Sequence, residues 1–289
     1  MITSIGEILV DKLVKQDQTV CHVGGAPFNV AVGAARCGST VRFVGKVGAD
    51  EMGDFLLREV PRYGVDARIA VDPVRPTTVA LVTLEEGERS FRFLRDNAAD
   101  YHLEEADMRV AEGSTIVHLG TLMLSKPEGR LAAGIAVRLA RQSGAMLSVD
   151  ANFRDDLFAT KALRNEIMRP YLMAADILKM SADELVDFTG VDDLDLAVNA
   201  LGYDGLLFVT AGKEPSRAYW HGYKVEEAPP VLPSVVDTTG AGDAFFGAVL
   251  SQLDAIYLRG QQPTPSALQR ILNVANRYGA EATQREGAV

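Results

Sequence analysis

Short apolar runs alternate with amphipathic stretches along most of the chain. Ile2 to Val10 is a mainly apolar run broken by Gly6-Glu7, which predicts a buried central strand that delivers Asp11 at its C-terminal end. A helix is predicted from about Asn29 to Gly38, a strand from Val41 to Val47, and a helix from Gly53 to about Val60 that Pro61 closes. Thr115 to Leu119 reads as a strand, Gly129 to Ser143 as a helix with one apolar face, and Met146 to Val149 as the next strand, running into Asp150. Ile177 to Met180 and Gly205 to Thr210 are two more strands. Val235-Val236 then reads as a strand leading through a small-residue turn into a helix from Gly242 to about Tyr257, and a last helix covers Ser266 to Tyr278. Strand followed by helix, repeated, is the pattern of parallel βα units.

Two regions break the alternation. Ile69-Ala70-Val71, Thr77 to Leu84 and Ser90 to Leu94 are short β-type runs, with the polar turn Glu85-Glu86-Gly87-Glu88 between the last two; these are hairpin signals. Ala218 to Trp220 and Tyr223 to Glu227, split by His221-Gly222, form a second hairpin. The expected architecture is α/β: a doubly wound, mostly parallel sheet flanked by helices, with a small β-sheet lid, in a single domain over residues 1–289.

With 289 residues and 47% hydrophobic content the chain can bury a large core, and disorder is excluded. Acidic residues outnumber basic ones, 39 to 29, for a net charge of −10. That argues against nucleic acid or an anionic membrane as partner, since both need a basic footprint, and it requires any ATP site to build its own local positive field. Cys21 and Cys37 lack metal-ligand spacing and suit a reducing compartment. The N-terminal Met-Ile-Thr-Ser-Ile-Gly-Glu lacks the charged and apolar regions of an export signal, and no apolar run reaches membrane-spanning length, so a cytoplasmic protein is expected.

The chemistry concentrates at Asp237-Thr238-Thr239-Gly240-Ala241-Gly242-Asp243. Gly240 and Gly242 let backbone approach a ligand closely, and the first amides of the following helix have no intrahelical partner and lie at the positive end of its dipole. This is a cradle for an anion such as phosphate. Asp243 either caps the helix or takes a proton from a reacting hydroxyl. The Walker pattern G-x-x-x-x-G-K-S/T is absent: the nearest run, Gly33 to Gly38, is followed by Ser39 and lacks the lysine. The dinucleotide fingerprint G-x-G-x-x-G also fails, because the next glycine after Gly242 is Gly247. Elsewhere the residues leave alternatives open. Asp11 and Gly24-Gly25 suit turns as well as ligand contacts, His118 suits a core histidine, Ser181 and Glu184 have the spacing of a capping box, and Lys179 is a phosphate neutraliser or a strand-end charge.

Asp-Thr-Thr-Gly-Ala-Gly-Asp-Ala-Phe at residues 237–245 resembles the C-terminal signature of the ribokinase-like, or pfkB, carbohydrate kinases. The N-terminal signature has counterparts in Gly24-Gly25-Ala26-Pro27-Phe28-Asn29, Ala34-Ala35-Arg36-Cys37-Gly38 and Gly45-Lys46-Val47-Gly48-Ala49-Asp50. Gly6-Glu7 with Asp11, Phe93-Leu94-Arg95 and Asp150-Ala151-Asn152-Phe153-Arg154 is similar to the fructokinase branch. The resemblance implies an ATP-dependent kinase acting on a sugar's primary hydroxyl, D-fructose before 2-keto-3-deoxygluconate, ribose or an aminoimidazole riboside. It implies Asp243 as catalytic base, with an anion hole from Gly240, Ala241 and Gly242. Asp11, Gly24, Gly25, Asn29, Arg95 and Arg154 would meet the sugar, and Lys179, Thr210, Gly212, Gly240, Gly242 and Asn276 the nucleotide. Glu184 would organise Mg²⁺ through water, and Asp237 and Thr239 would belong to a site for a monovalent cation such as K⁺. Two departures stand out: Ser181 replaces the family's Asn, and Pro215-Ser216 stand where the nucleotide loop usually ends in Gly. The lid would comprise roughly residues 12–22 and 68–100 and pair two subunits into a homodimer. The rival readings are a non-catalytic sugar- or nucleotide-binding protein of the same fold and a dehydrogenase, which the missing fingerprint disfavours.

Overall fold

The computed structural model describes residues 1–15, 18–85, 88–108, 113–285 and 287–289. In chain order the strands are β1 (Ile2–Ile5), β2 (Leu9–Lys15), β3 (Gln18–Gly24), β4 (Val41–Gly48), β5 (Asp66–Asp72), β6 (Val79–Glu85), β7 (Glu88–Leu94), β8 (Ile116–Leu119), β9 (Met146–Asp150), β10 (Ile177–Ser181), β11 (Leu206–Ala211), β12 (Glu214–Trp220) and β13 (Tyr223–Glu227). The helices are α1 (Ala26–Arg36), α2 (Glu51–Glu59), α3 (Pro127–Ser143), α4 (Lys161–Ala174), α5 (Ala182–Thr189), α6 (Leu194–Leu201), α7 (Ala241–Tyr257) and α8 (Pro265–Ala282).

The large sheet has the order β13-β12-β11-β10-β9-β8-β1-β4-β5, parallel from β11 to β5, with β12 and β13 antiparallel at one edge. Side chains alternate across it. Ile177 packs with α1, α7 and α8 on one face, and its neighbour Leu178 with α3 to α6 on the other. A separate sheet, β3-β2-β6-β7, forms the lid. Among the described residues no helix is long and apolar enough to cross a membrane.

Three expectations need correction. The apolar run Ile2 to Val10 is two strands in two sheets: the chain leaves the large sheet at Gly6, where a Cβ would lie 2.7 Å from Pro27 Cγ. Asp11 therefore sits inside lid strand β2, opposite His22 of β3, and not at the end of a central strand. Ile69-Ala70-Val71 belongs to β5, paired in parallel with β4, so the lid's second segment begins at Val79, and its first runs wider than 12–22. The residues at the two lid turns, 16–17 and 86–87, lie outside the described ones. Val235-Val236 joins no sheet: both side chains are exposed, and the amides of Val236 and Asp237 donate to Thr283 O.

Helices α1 and α7 cross at glycines. A Cβ on Gly33 would lie 3.3 Å from Ala244 Cα, and one on Gly247 only 2.6 Å from Val30 O. Any larger residue at 247 would push the helices apart, and this close crossing brings the first turn of α1 alongside that of α7.

Candidate active site

The head of α7 is capped by backbone. Gly240 holds φ 77° as the N-cap without a side-chain cap bond, and a Cβ there would lie 2.6 Å from Ala288 O. Only glycine meets both demands. Ala241 N donates back to Thr238 O at 3.2 Å, while the amides of Gly242 and Asp243 lie in the first turn, beyond the reach of any intrahelical carbonyl. Asp243 does not cap the helix. Its Oδ2 accepts from Asn29 Nδ2 at 2.8 Å, a contact made by the α1–α7 crossing. Burial raises the Asp243 carboxyl above the ordinary aspartate range, opposed by the Asn29 bond and by the charges of Lys179 and Arg154. Asn29 was expected to offer its amide to the sugar. The structure turns that amide to Asp243 and leaves Asn29 Oδ1, buried and without a hydrogen-bond partner, as the spare acceptor.

Beside this turn lie the C-terminal ends of β9 and β10. Lys179 and Asp150 are register partners on these strands, and Lys179 Nζ donates to Asp150 Oδ2 at 3.0 Å. A Cβ on Gly242 would be 3.1 Å from the same Nζ, so the ammonium reaches the head of α7 because residue 242 has no side chain. The capping box of α5 is formed: Ser181 Oγ accepts from Glu184 N at 3.1 Å, and Glu184 Oε2 accepts from Ser181 N at 2.7 Å. Glu184 Oε1 also accepts from Phe153 N at 2.7 Å, which ties α5 to the loop after β9. Each oxygen keeps one lone pair, so the carboxylate fits a water-mediated role towards Mg²⁺. In that loop Asn152 adopts φ 39°, Phe153 is braced by buried Arg164, whose guanidinium carbon lies 4.0 Å from the ring centroid, and Arg154 is exposed.

The other residues expected to meet the sugar lie on or beside the lid sheet. Half-buried Asp11 folds over Gly24, where a Cβ would lie 2.2 Å from Asp11 Oδ2, and Gly25 at φ 110° is the N-cap of α1. Arg95 does not face the mouth. It is 4% exposed and stacked 4.0 Å from the Tyr101 ring centroid, with Nη1 donating to Leu122 O and both Nε and Nη2 to Asp100. Asp100 in turn accepts from Thr78 Oγ1 at 2.6 Å, so this pair anchors the start of β6 and the end of β7 to the main body.

Glu7, close enough to feel the charges of Arg95 and Asp100, is 1% exposed, with neither carboxyl oxygen hydrogen-bonded. Burial pushes it up to about 7, against the pull of Arg95. Because the folded state then binds a proton that the unfolded state releases near 4.5, its cost to stability is absent at low pH, grows from about 4.5 to 7 and is full above that. Glu7→Gln is therefore expected to gain on the order of 3 kcal/mol over the wild type at pH 8 and little at pH 4.5. Urea unfolding at the two pH values checks this; an unchanged pH slope in the variant would contradict it.

The nucleotide-side residues are more dispersed. Thr210, next to last in β11, lies beside Ser181, and Gly212, at φ 60°, forms with Lys213 a two-residue hairpin into β12 in place of a longer loop. Asn276 is buried and donates to Glu227 O at 2.9 Å, docking α8 on β13. Asp237 is buried, its carboxylate accepting from Thr239 N at 2.9 Å and Gly287 N at 3.0 Å, which folds the loop and the 283–289 segment around one charge.

Asp243 beside an amide-lined turn, with a buried ammonium at the same turn and a lid sheet above, is an arrangement suited to moving a phosphoryl group onto a hydroxyl. Comparison with known proteins agrees. The chain is 34% identical to the fructokinase of Escherichia coli over 291 residues, spanning 99% of this chain and 94% of that one. Its fold matches the fructokinase of Xylella fastidiosa with bound ATP (TM-score 0.90, 30% identity, 99% of this chain and 93% of that one). It likewise matches a double mutant of the Vibrio cholerae O395 fructokinase with fructose, ADP and potassium bound (TM-score 0.90, 28% identity, 99% and 93%). The match to the pfkB family of carbohydrate kinases runs over residues 3–289, and the chain belongs to that family.

Proposed function

We propose that the protein is an ATP-dependent fructokinase that phosphorylates the primary hydroxyl of D-fructose to give fructose 6-phosphate. The observation that carries the chemistry is Asp243: a half-buried carboxylate at the head of α7, hydrogen-bonded by Asn29 and not by its own helix, whose Gly242 and Asp243 amides are left for an anion. The carboxylate accepts the hydroxyl proton as the sugar oxygen attacks the γ-phosphorus, and ADP leaves in line. The amides of Gly242 and Asp243, which no intrahelical carbonyl takes, hold the charge that gathers on the equatorial oxygens, while the Ala241 amide is spent on Thr238 O, and Lys179 adds a cation beside them. This is positioning and electrostatics, which is what phosphoryl transfer asks of a protein. Mg²⁺ bound with the nucleotide, organised through water by Glu184, would neutralise phosphate charge, and Asp237 and Thr239 would hold K⁺ near the loop.

Asp11, the Gly24-Gly25 backbone, the free oxygen of Asn29 and Arg154 make up the sugar side, and Thr210, Gly212 and the α8 surface at Asn276 the nucleotide side. Solved fructokinases hold ATP in one case and fructose, ADP and potassium in another, which supports a sugar and a nucleotide as the two ligands. The exposed Val20 and Leu94 of the lid strands support a homodimer formed through the lid sheets.

The fate of Arg95 bears on the substrate. Two arginines at the mouth would suit a carboxylated sugar through bidentate pairing, but of Arg95 and Arg154 only Arg154 stays exposed. The neutral hydroxyls of fructose fit that mouth better than ketodeoxygluconate does. Steady-state kinetics over a panel of fructose, ketodeoxygluconate, ribose and an aminoimidazole riboside tests this, with the highest kcat/KM expected for fructose. A kcat/KM for ketodeoxygluconate or the riboside well above that for fructose would sink the fructose assignment and leave the kinase assignment standing.

A further inference from the structure

We propose that Asp150 is a positioning residue for phosphoryl transfer, which keeps the Lys179 ammonium charged and fixed against Gly242 so that a cation faces the transferring group. The proposal rests on the kinase reading above and deepens it by naming what holds that cation.

The two side chains are register partners on adjacent parallel strands, both facing α7, and are 3% and 7% exposed. Burying such a pair costs several kcal/mol for each ion, and apolar replacements of similar size are often as stable, so stability alone does not account for it. Its placement does. The ammonium sits where a Cβ on Gly242 would be 3.1 Å away, at the turn whose amides cradle the anion. Burial by itself would drive a lysine towards its neutral form, and a neutral amine there would contribute no charge. The groups that face Lys179 decide the outcome. Burial pushes the Asp150 carboxyl up to about 7 against the pull of Lys179, so on the alkaline side Asp150 from β9 is charged and is the strongest opposing influence, followed by Glu184 from α5 and Asp243 from α7, while His118 from β8 is held neutral by its own burial. The second oxygen of Asp150 is buried and has no hydrogen-bond partner, so Lys179 takes the only hydrogen bond that this carboxylate accepts among the described residues.

Asp150→Asn keeps the size and the acceptor oxygen and removes the charge. Lys179 then loses its largest stabilising influence and should give up its proton at a lower pH. The measurement is kcat against pH from about 6 to about 10, with fructose and ATP saturating, for the wild type, Asp150→Asn, Asp150→Glu and Lys179→Met; against the pull of burial, Asp150, Glu184 and Asp243 hold Lys179 above the ordinary lysine value, so the wild type should show no lysine limb in this range. Asp150→Asn is expected to lose roughly tenfold or more in kcat at alkaline pH, through a limb that enters the range where the wild type shows none, with fructose KM unchanged. Lys179→Met is expected to lose about 10²-fold at every pH and to show no such limb. Asp150→Glu, which keeps the charge, should keep the wild-type profile even where its length lowers kcat, and it carries the test if Asp150→Asn fails to fold.

An Asp150→Asn profile parallel to the wild type, whether lowered uniformly or not, would overturn the proposal, and so would an alkaline limb in Asp150→Glu. A loss in Lys179→Met with a wild-type profile in Asp150→Asn rejects the role of Asp150 and leaves the kinase reading intact. A wild-type protein that phosphorylates no sugar rejects both.

Discussion

Asp243→Asn is expected to lower kcat by ~10²–10⁴-fold, the usual range for a general base, with far smaller changes in the KM for ATP and for fructose. The substitution keeps the shape at the head of α7 and an oxygen for the Asn29 amide, 2.8 Å away in the wild type, so binding should survive. What it removes is the carboxylate that accepts the sugar proton in the transition state. Because burial raises this carboxyl above the ordinary aspartate value, wild-type activity should fall on the acid side through a pKa higher than that of a free aspartate, as the base becomes protonated. A variant with near-normal kcat, or one that loses only substrate affinity, would exclude Asp243 as the base.

Gly240→Ala should be the next most damaging single change, with kcat reduced by ~10²–10³-fold, the range seen when one donor is removed from an oxyanion site. The residue holds φ 77°, where a side chain is strained, and the new Cβ would lie 2.6 Å from Ala288 O and 2.7 Å from Ala288 Cα. Either the loop or the 283–289 segment must move, and both are tied through Asp237 to Thr239 N and Gly287 N. The amides of the turn then no longer converge on one point. Circular dichroism should still report the folded protein, since the strain is confined to one loop. A folded Gly240→Ala protein whose kcat stays within a few-fold of wild type would mean that the turn does not hold the charge that develops.

The large sheet was legible because parallel strands covered on both faces are continuous apolar runs, as at Val41 to Val47 and Ile177 to Met180. The same property hid the boundary at Gly6-Glu7: Leu9-Val10 looks alike in the central sheet and in the lid, and only close packing against Pro27 at Gly6 separates them. For Ile69-Ala70-Val71 the β character was right and the sheet wrong, because pairing partners are not written in a strand's own residues. The turn at Gly240 and the helix after it were legible from the glycines and the apolar run that follows, whereas Val235-Val236 was overread, since β-branched residues favour extended backbone without specifying a partner.

The site's connections were less legible than its parts. Asn29 and Asp243 are 214 residues apart, and nothing local announces that glycines on two helices bring them together. Asp150 and Lys179 each end an apolar run, a pattern that signals a buried pair only once their strands are known to be neighbours. Arg95 was read from its motif as facing the substrate, but Asp100, five residues on, draws it inward, and the two hold the lid's strands to the body.

The most direct test of the central claim is product analysis by phosphorus NMR after incubating the purified protein with ATP, Mg²⁺ and fructose, beside Asp243→Asn. The account requires fructose 6-phosphate and ADP in equal amounts from the wild type and almost none from the variant. Equal product from both proteins, or no phosphorylated sugar from the wild type with fructose or any other sugar of the panel, would contradict it.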